Sequence, residues 1–404
     1  MGADALQNLF NREKTMKKLL ATAAALAMLG APAAFAASHA SQGVTDTEIV
    51  LGSNNDLSGP FAAFGAPAMK AAQLYFDEVN ANGGVHGRKI KLVVEDHGYQ
   101  VPKAVQAANK LINRDKIFAM FMSLGTPHNL AAFKLQQAKG IPNFNPLSAA
   151  RQMIEEPKDL KFVGFSSYYD QLRVGVNYMQ KTYGSKTICP MYIPSDFGKE
   201  IAQGAIDEAE ARGLEFGGET THKPDETDYV GALTKLKSAG CDLIPTALSI
   251  RGTITVVATA KKLGMDNVKF IGSSAAFHTA VAKVPGGVTE GFYAASGWTD
   301  LEARAGEPEV GAWIKKYTEA TGEKFPGTGA LLGRSGAETM VRALEAAGPD
   351  LTTKSFLAAV ESLKFEDAIA GVSVDFGADH VGASNVFISK IEGGSWKIVG
   401  ESGS

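Results

Sequence analysis

The sequence predicts an α/β protein made of two doubly wound, Rossmann-like lobes, and three observations carry that prediction. Short apolar runs alternate with amphipathic helical stretches, the order that builds a parallel sheet with helices on both faces. The alternation runs through once and starts again near residue 186. The 404 residues, 45% hydrophobic and 21% charged, suffice for two such units with a ligand cleft between them.

Taken in order, residues Glu48 to Ser53 predict a strand, followed by a glycine-containing turn, Asp56 to Phe61. Pro67 to Asn80 predicts a helix with Met69, Ala72, Leu74, Tyr75, Phe76 and Val79 on one broad apolar face. Ile90 to Glu95 is the second strand, and a helix from Pro102 to about Asn113 follows. Ile117 to Leu124 is apolar throughout, as for a strand covered on both faces. It meets Gly125-Thr126-Pro127-His128, where Thr126 suits an N-cap and Pro127 the first helical position. A further apolar run, Ile141 to Phe144, ends in the polar turn Asn145 to Ala150. Two strand ends with a helix N-terminus between them favour an anion.

The second round predicts strands at Lys186 to Ile193, Glu215 to Thr221, Asp242 to Ala247 and Val268 to Gly272, with helices at Asp196 to Arg212, Tyr229 to Ala239 and Thr253 to Leu263. The tail holds three helices, Pro308 to Ala320, Ala330 to Ala347 and Lys354 to Leu363, and three short strands near residues 372, 386 and 396. These are too few for a third domain, so they are assigned back to the two lobes.

A formal net charge of -3 supplies no basic field, which argues against nucleic acid and anionic membrane as partners. Residues 16–36 have the charged start, apolar middle and small-residue exit of a secretory leader, with Met16 as its start and cleavage after Ala36. Its apolar part falls short of the roughly 20 residues that span a bilayer, and no cysteine lies at the exit to carry a lipid. The expectation is a soluble periplasmic protein. Cys189 and Cys241 are placed on buried strands of one sheet, where either a disulfide or two buried thiols is consistent with the residues.

Catalytic signatures are missing from the sequence: no HExxH, no phosphate loop, no paired CxxC, and seven histidines without metal-like spacing. No cofactor or metal is expected. What remains is a set of hydroxyls, small residues and aromatics at strand ends, Ser58, Phe64, Tyr99, Thr126, Ser148, Ala149, Tyr169, Phe197, Ser249 and Ser274. Such a set binds without transforming, since hydroxyl and N–H donors hold a carboxylate while aromatic faces bury an apolar body. The plainer readings are that Thr126 only caps its helix and that Phe64 and Phe197 only fill the core.

The stretches Leu57 to Gly65 (LSGPFAAFG), Phe76 to Asp96, Val101 to Ile112, Gly125 to Asn129 (GTPHN) and Ser195 to Glu200 (SDFGKE) together resemble the leucine/isoleucine/valine-binding protein family, the type I solute-binding proteins of ABC importers. The resemblance implies two lobes joined by three crossovers, residues 43–163 with 299–380 and residues 164–298 with 381–404. It also implies lobes that close on a small ligand and deliver it to membrane-bound permease subunits; a monomer suits such a shuttling binder. Thr126, Ser148 and Ala149 then clamp a ligand carboxylate, with Phe64 and Phe197 flanking the ligand from the two lobes.

One departure bears on the ligand. After the strand Val268 to Gly272, where amino-acid-binding members carry an acid for the α-ammonium, this sequence has Ser273-Ser274, and the family's second-lobe tyrosine falls at Ser249 or Ile250. A buried ammonium without a carboxylate costs several kcal/mol. The expected ligand is therefore a carboxylate or amide with an apolar or aromatic body, unless Asp170 or Asp196 supplies the acid and a branched-chain amino acid binds. Rival classes are a secreted serine hydrolase using Ser273 or Ser274 with His278, and a ligand sensor for a separate receptor.

Overall fold

The computed structural model describes residues 41–402, so the expected leader lies outside the described residues. Strands β1 (Glu48–Asn55), β2 (Lys89–Asp96), β3 (Ala119–Phe121), β4 (Asn143–Phe144) and β5 (Lys161–Phe165) form the first sheet with β15 (Val381–Ala383), in the order β15-β5-β4-β3-β1-β2. Every pairing in it is parallel. Helices α1 (Ala62–Ala81), α2 (Val101–Asn109) and α3 (Thr126–Lys139) connect these strands.

The second sheet is built from β6 (Thr187–Ile188), β7 (Met191–Tyr192), β8 (Glu215–Phe216), β9 (Thr220–Thr221), β10 (Leu243–Ala247), β11 (Lys269–Gly272) and β12 (Tyr293–Ser296), all parallel. Two antiparallel strands near the C-terminus, β16 (Phe387–Glu392) and β17 (Ser395–Glu401), extend its β12 edge. Its helices are α4 (Tyr168–Tyr183), α5 (Asp196–Ala211), α6 (Val230–Ser238), α7 (Ile250–Lys262) and the short α8 (Thr279–Ala282). Helices α9 (Pro308–Thr321), α10 (Thr328–Ala347) and α11 (Thr353–Glu361) return to the first lobe, followed by the hairpin β13 (Lys364–Asp367) and β14 (Val372–Asp375). The chain passes between the sheets after β5, after β12 and after β15, which gives the expected three crossovers. Because β15 pairs with β5, the segment expected to begin the second lobe at 381 starts in the first sheet instead.

Buried Phe76, Phe121, Phe144 and Phe162 fill the first lobe; Phe270, Phe292, Tyr293 and Trp396 fill the second. Helix α10 packs closely along α1 because residue 333 is glycine; a Cβ there would overlap the Ala68 carbonyl. Among the described residues, no helix is long and apolar enough to cross a membrane.

Several expected elements are redrawn. The strand expected over Lys186 to Ile193 is broken into β6 and β7, with Cys189-Pro190 between them, because proline has no N–H to give the ladder. Cys189 and Cys241 are joined in a disulfide, which decides between the two readings of the pair. Helix α1 starts at Ala62, ahead of the expected Pro67, and carries that proline inside it. Pro67 cannot donate to the Ala63 carbonyl one turn back, so that oxygen is left for another partner.

Candidate functional site

Helix α3 begins with a cap that no side chain fills. Its N-cap is Gly125, at φ 95°, a conformation that favours glycine, and a Cβ there would run into the His128 ring. Thr126 is thus the first helical residue and not the expected cap. Its hydroxyl meets the Ser148 hydroxyl at 2.8 Å, across from the end of β4. One proton of that pair is used between the two oxygens, and the other is free to donate outward. At this end of α3 no side chain caps the Thr126 and His128 N–H groups, while Pro127 has no N–H to satisfy.

A second layer holds this corner. Asn129 donates to the carbonyls of Ser123 and Gly125, each at 2.9 Å. His97 accepts from the Tyr99 N–H at 3.0 Å, so its proton sits on Nε2 and is given to the Leu124 carbonyl at 3.1 Å. Burial drives the His97 and His128 imidazoles down to about 4, keeping both neutral, and their rings stack at 4.3 Å. Tyr99, Met122 and Asn145, three of the non-glycine residues with positive φ, all stand at the pocket wall. Such strain is tolerated where surrounding contacts over-determine the backbone, as at binding sites.

A pocket lies between the lobes. Phe64, Tyr99, Thr126, Ser148, Ala149, Phe197 and Ser274 of the predicted set line it. Aromatic rings bridge the lobes: Phe61 lies 4.4 Å from Tyr99 and 5.5 Å from Phe197, and Phe197 lies 5.6 Å from Tyr168. Burial raises the Tyr168 hydroxyl to about 12 and the Tyr99 hydroxyl further still, so both remain protonated donors. Phe165 and Trp298, 5.0 Å apart, close the hinge end. None of the lining side chains is an Asp, Glu, Lys or Arg.

Three predicted residues stand elsewhere. The exposed Ser58 donates to Asp96 at 2.6 Å and ties the first turn to β2. Ser249 caps α7 by accepting the Gly252 N–H at 3.2 Å. Tyr169 turns away from the pocket and donates to Asp207 at 2.6 Å, while its neighbour Tyr168 points in. Successive helical residues diverge by about 100°, so the two neighbouring tyrosines face different ways, and without a helix expected here the sequence does not separate them. The sequence reading overlooked Phe61, Phe165, Tyr168 and Trp298 as lining residues. The N-cap Ser167, which accepts the Asp170 N–H at 3.0 Å, is the signal that would have set the phase of α4.

The acids considered for an ammonium do not reach the pocket. Asp170 is exposed and takes the Ser167 hydroxyl at 2.6 Å, and Asp196 is exposed at the start of α5. Asp56, fully buried nearby, accepts the N–H groups of Gly59 at 2.6 Å and Phe61 at 2.8 Å. Asp367, behind the lining residue Ser335, takes that hydroxyl and the Ile369 and Ala370 N–H groups.

On the second lobe, the Ser274 N–H is used by Gln171 Oε1 at 2.8 Å. His278 accepts the Ala280 N–H on Nδ1 at 3.0 Å, and its Nε2 donates at 3.2 Å to the Ala63 carbonyl that Pro67 left free. Both ring nitrogens are thereby committed, so His278 does not serve Ser273 or Ser274 as the base of a hydrolase. Among the described residues, no cluster of His, Cys, Asp or Glu is arranged to hold a metal ion.

Residues 48–395 match the family model described as periplasmic binding protein. The Leu/Ile/Val-binding protein homolog 7 of Brucella abortus is 25% identical over 217 residues, 52% of this chain and 54% of the relative, so the match spans about half that relative's length. The fatty acid ABC transporter substrate-binding protein from Thermomonospora curvata superposes with a TM-score of 0.80 at 26% identity, covering 89% of this chain and 93% of that one. A branched-chain amino acid ABC transporter structure from Thermus thermophilus with bound valine shares the fold, with a TM-score of 0.80 at 22% identity over 89% of this chain and 97% of that one. The chain belongs to the periplasmic binding protein family.

Proposed function

We propose that this family member is the solute-capturing component of an ABC importer, exported to the periplasm. Its ligand in this reading is a small carboxylate with an apolar or aromatic body and no α-ammonium. The observation that carries the reading is a pocket with an uncapped helix N-terminus and the Thr126–Ser148 hydroxyl pair at one corner, aromatic walls around it, and no acid in its lining. Carboxylate oxygens would take the free hydroxyl proton and the α3 N–H groups, each charge-assisted bond contributing about 1.5–3 kcal/mol. An ammonium would stay buried and unpaired. The 26% identical relative named for fatty acid transport supports the apolar carboxylate over the amino acid. Permease subunits are the partner the family implies, and a monomer would suit a shuttling binder.

Calorimetric titration and thermal shift with octanoate, benzoate, leucine and valine test the reading. Octanoate or benzoate should raise the melting temperature while the two amino acids do not, since a ligand that binds only the folded state stabilises it. A large shift with leucine or valine alone would show that an acid reaches the ammonium after all and would end the carboxylate assignment.

A further inference from the structure

Tyr169, which the pocket does not use, belongs to a second cross-lobe arrangement. Arg151 opens the short turn Arg151–Met153, one residue beyond the pocket-wall segment Ser148-Ala149 on the first lobe. Glu200 lies on α5 of the second lobe, its side chain only 4% exposed. Its carboxylate accepts from Arg151 three times: from Nε at 2.8 Å, from Nη2 at 3.2 Å and from the backbone N–H at 3.1 Å. The guanidinium lies 3.4 Å from the centre of the Tyr169 ring, which Asp207 holds in place through the phenol. Beside this, the Tyr168 N–H donates to the Ala149 carbonyl at 2.7 Å. The second lobe therefore grips the backbone on both sides of Ala150, on the strand end that carries Ser148.

We propose that Arg151 and Glu200, seated on Tyr169, form a latch that keeps the lobes closed without ligand and fixes the position of the Ser148-Ala149 segment. They act as positioning residues and do not touch the ligand. A forked guanidinium–carboxylate pair stacked on an aromatic ring is oriented as well as attracted. It exists only when the lobes meet, so its free energy biases the closed state and lowers the work left for the ligand. Helix α5 also carries an internal control. Glu208, 7% exposed, takes Arg173 at 2.9 Å and Arg212 at 2.8 Å, all three within the second lobe. The chemistry is the same, but that pair does not cross the cleft.

The test is single-molecule energy transfer between dyes on Lys103→Cys and Ser238→Cys, one on each lobe, in ligand-free mature protein with its native disulfide intact. Glu200→Gln should lower the closed-to-open ratio roughly tenfold, the low end for losing a charge-assisted hydrogen bond, since Arg151 is partly exposed. Arg151→Gln, at a partly exposed site that leaves folding less burdened, should do the same, and the double variant should fall no further than either single. Glu208→Gln should lower the melting temperature and leave the ratio unchanged. An unaltered ratio in Glu200→Gln and Arg151→Gln, or an equal fall in Glu208→Gln, overturns the latch. The measurement needs no ligand, so failure of the carboxylate screen and failure of the latch are read separately.

Discussion

The strand ends of the two lobes meet at one pocket but are finished differently. On the first lobe, the loop after β3 puts glycine at the cap of α3, leaving Thr126 and the helix N–H groups to face the cleft. On the second lobe, Ser249 after β10 caps its own helix, and the turn after β11 gives the Ser274 N–H to Gln171. In the proposed reading, a strand end becomes an anion site only where the chain leaves its own donors unanswered. The Thr126–Ser148 hydroxyl pair comes from the first lobe; the second adds Phe197 as apolar cover, with Tyr168 and Ser274 beside it.

Acidification should disturb the comparison most. His97 and His128 support the first-lobe corner and His278 crosses from the second lobe, and burial lowers each to about 4. Their ordinary value is near 6.5, so between about 6.5 and 4 the unfolded chain binds more protons than the folded one. Stability is therefore full above about 6.5, falls as pH drops toward 4, and levels off below that. The limiting slope is about 1.4 kcal/mol per pH unit for each histidine. Chemical denaturation across pH 4 to 7 measures it; a flat profile would mean that these rings are hydrated.

Thr126→Val breaks the first-lobe side of the comparison alone. Octanoate affinity should fall roughly ten- to hundredfold, the loss of one charge-assisted bond of about 1.5–3 kcal/mol, with the melting temperature close to that of the parent. Calorimetric titration reads the affinity, and unchanged binding would return Thr126 to a structural role.

Ser249→Ala is the smallest and opposite change. Loss of its cap should cost about 1 kcal/mol of stability, seen in denaturant melts, with octanoate binding unaltered. A change in affinity would place the second-lobe strand end in the site after all.

Much of this was legible because local rules decide it. Alternating apolar runs and helical faces specify the lobes, and GTPHN marks a helix start within one residue of the observed Thr126. What local rules missed has local causes too. Thr126 and Gly125 both suit a cap, and only the close packing of the His128 ring against residue 125 reserves that place for glycine. Tyr168 and Tyr169 are neighbours, and with no helix expected over 168–183 the sequence supplied no phase to tell the pocket residue from the one beneath Arg151. Pro67 read as a helix start, whereas the missing N–H inside α1 frees a carbonyl for His278.

The sequence by itself determined the fold class, the corner at Thr126 and Ser148, and the lack of an acid at Ser273-Ser274, because these follow from residue type and near-neighbour geometry. Tertiary structure alone decided which hydroxyls are free, that Asp170 and Asp196 stay outside the pocket, that Cys189 meets Cys241, and that Arg151 reaches Glu200. Most of those outcomes join residues far apart in the chain, and such pairs are set by how helices and sheets pack.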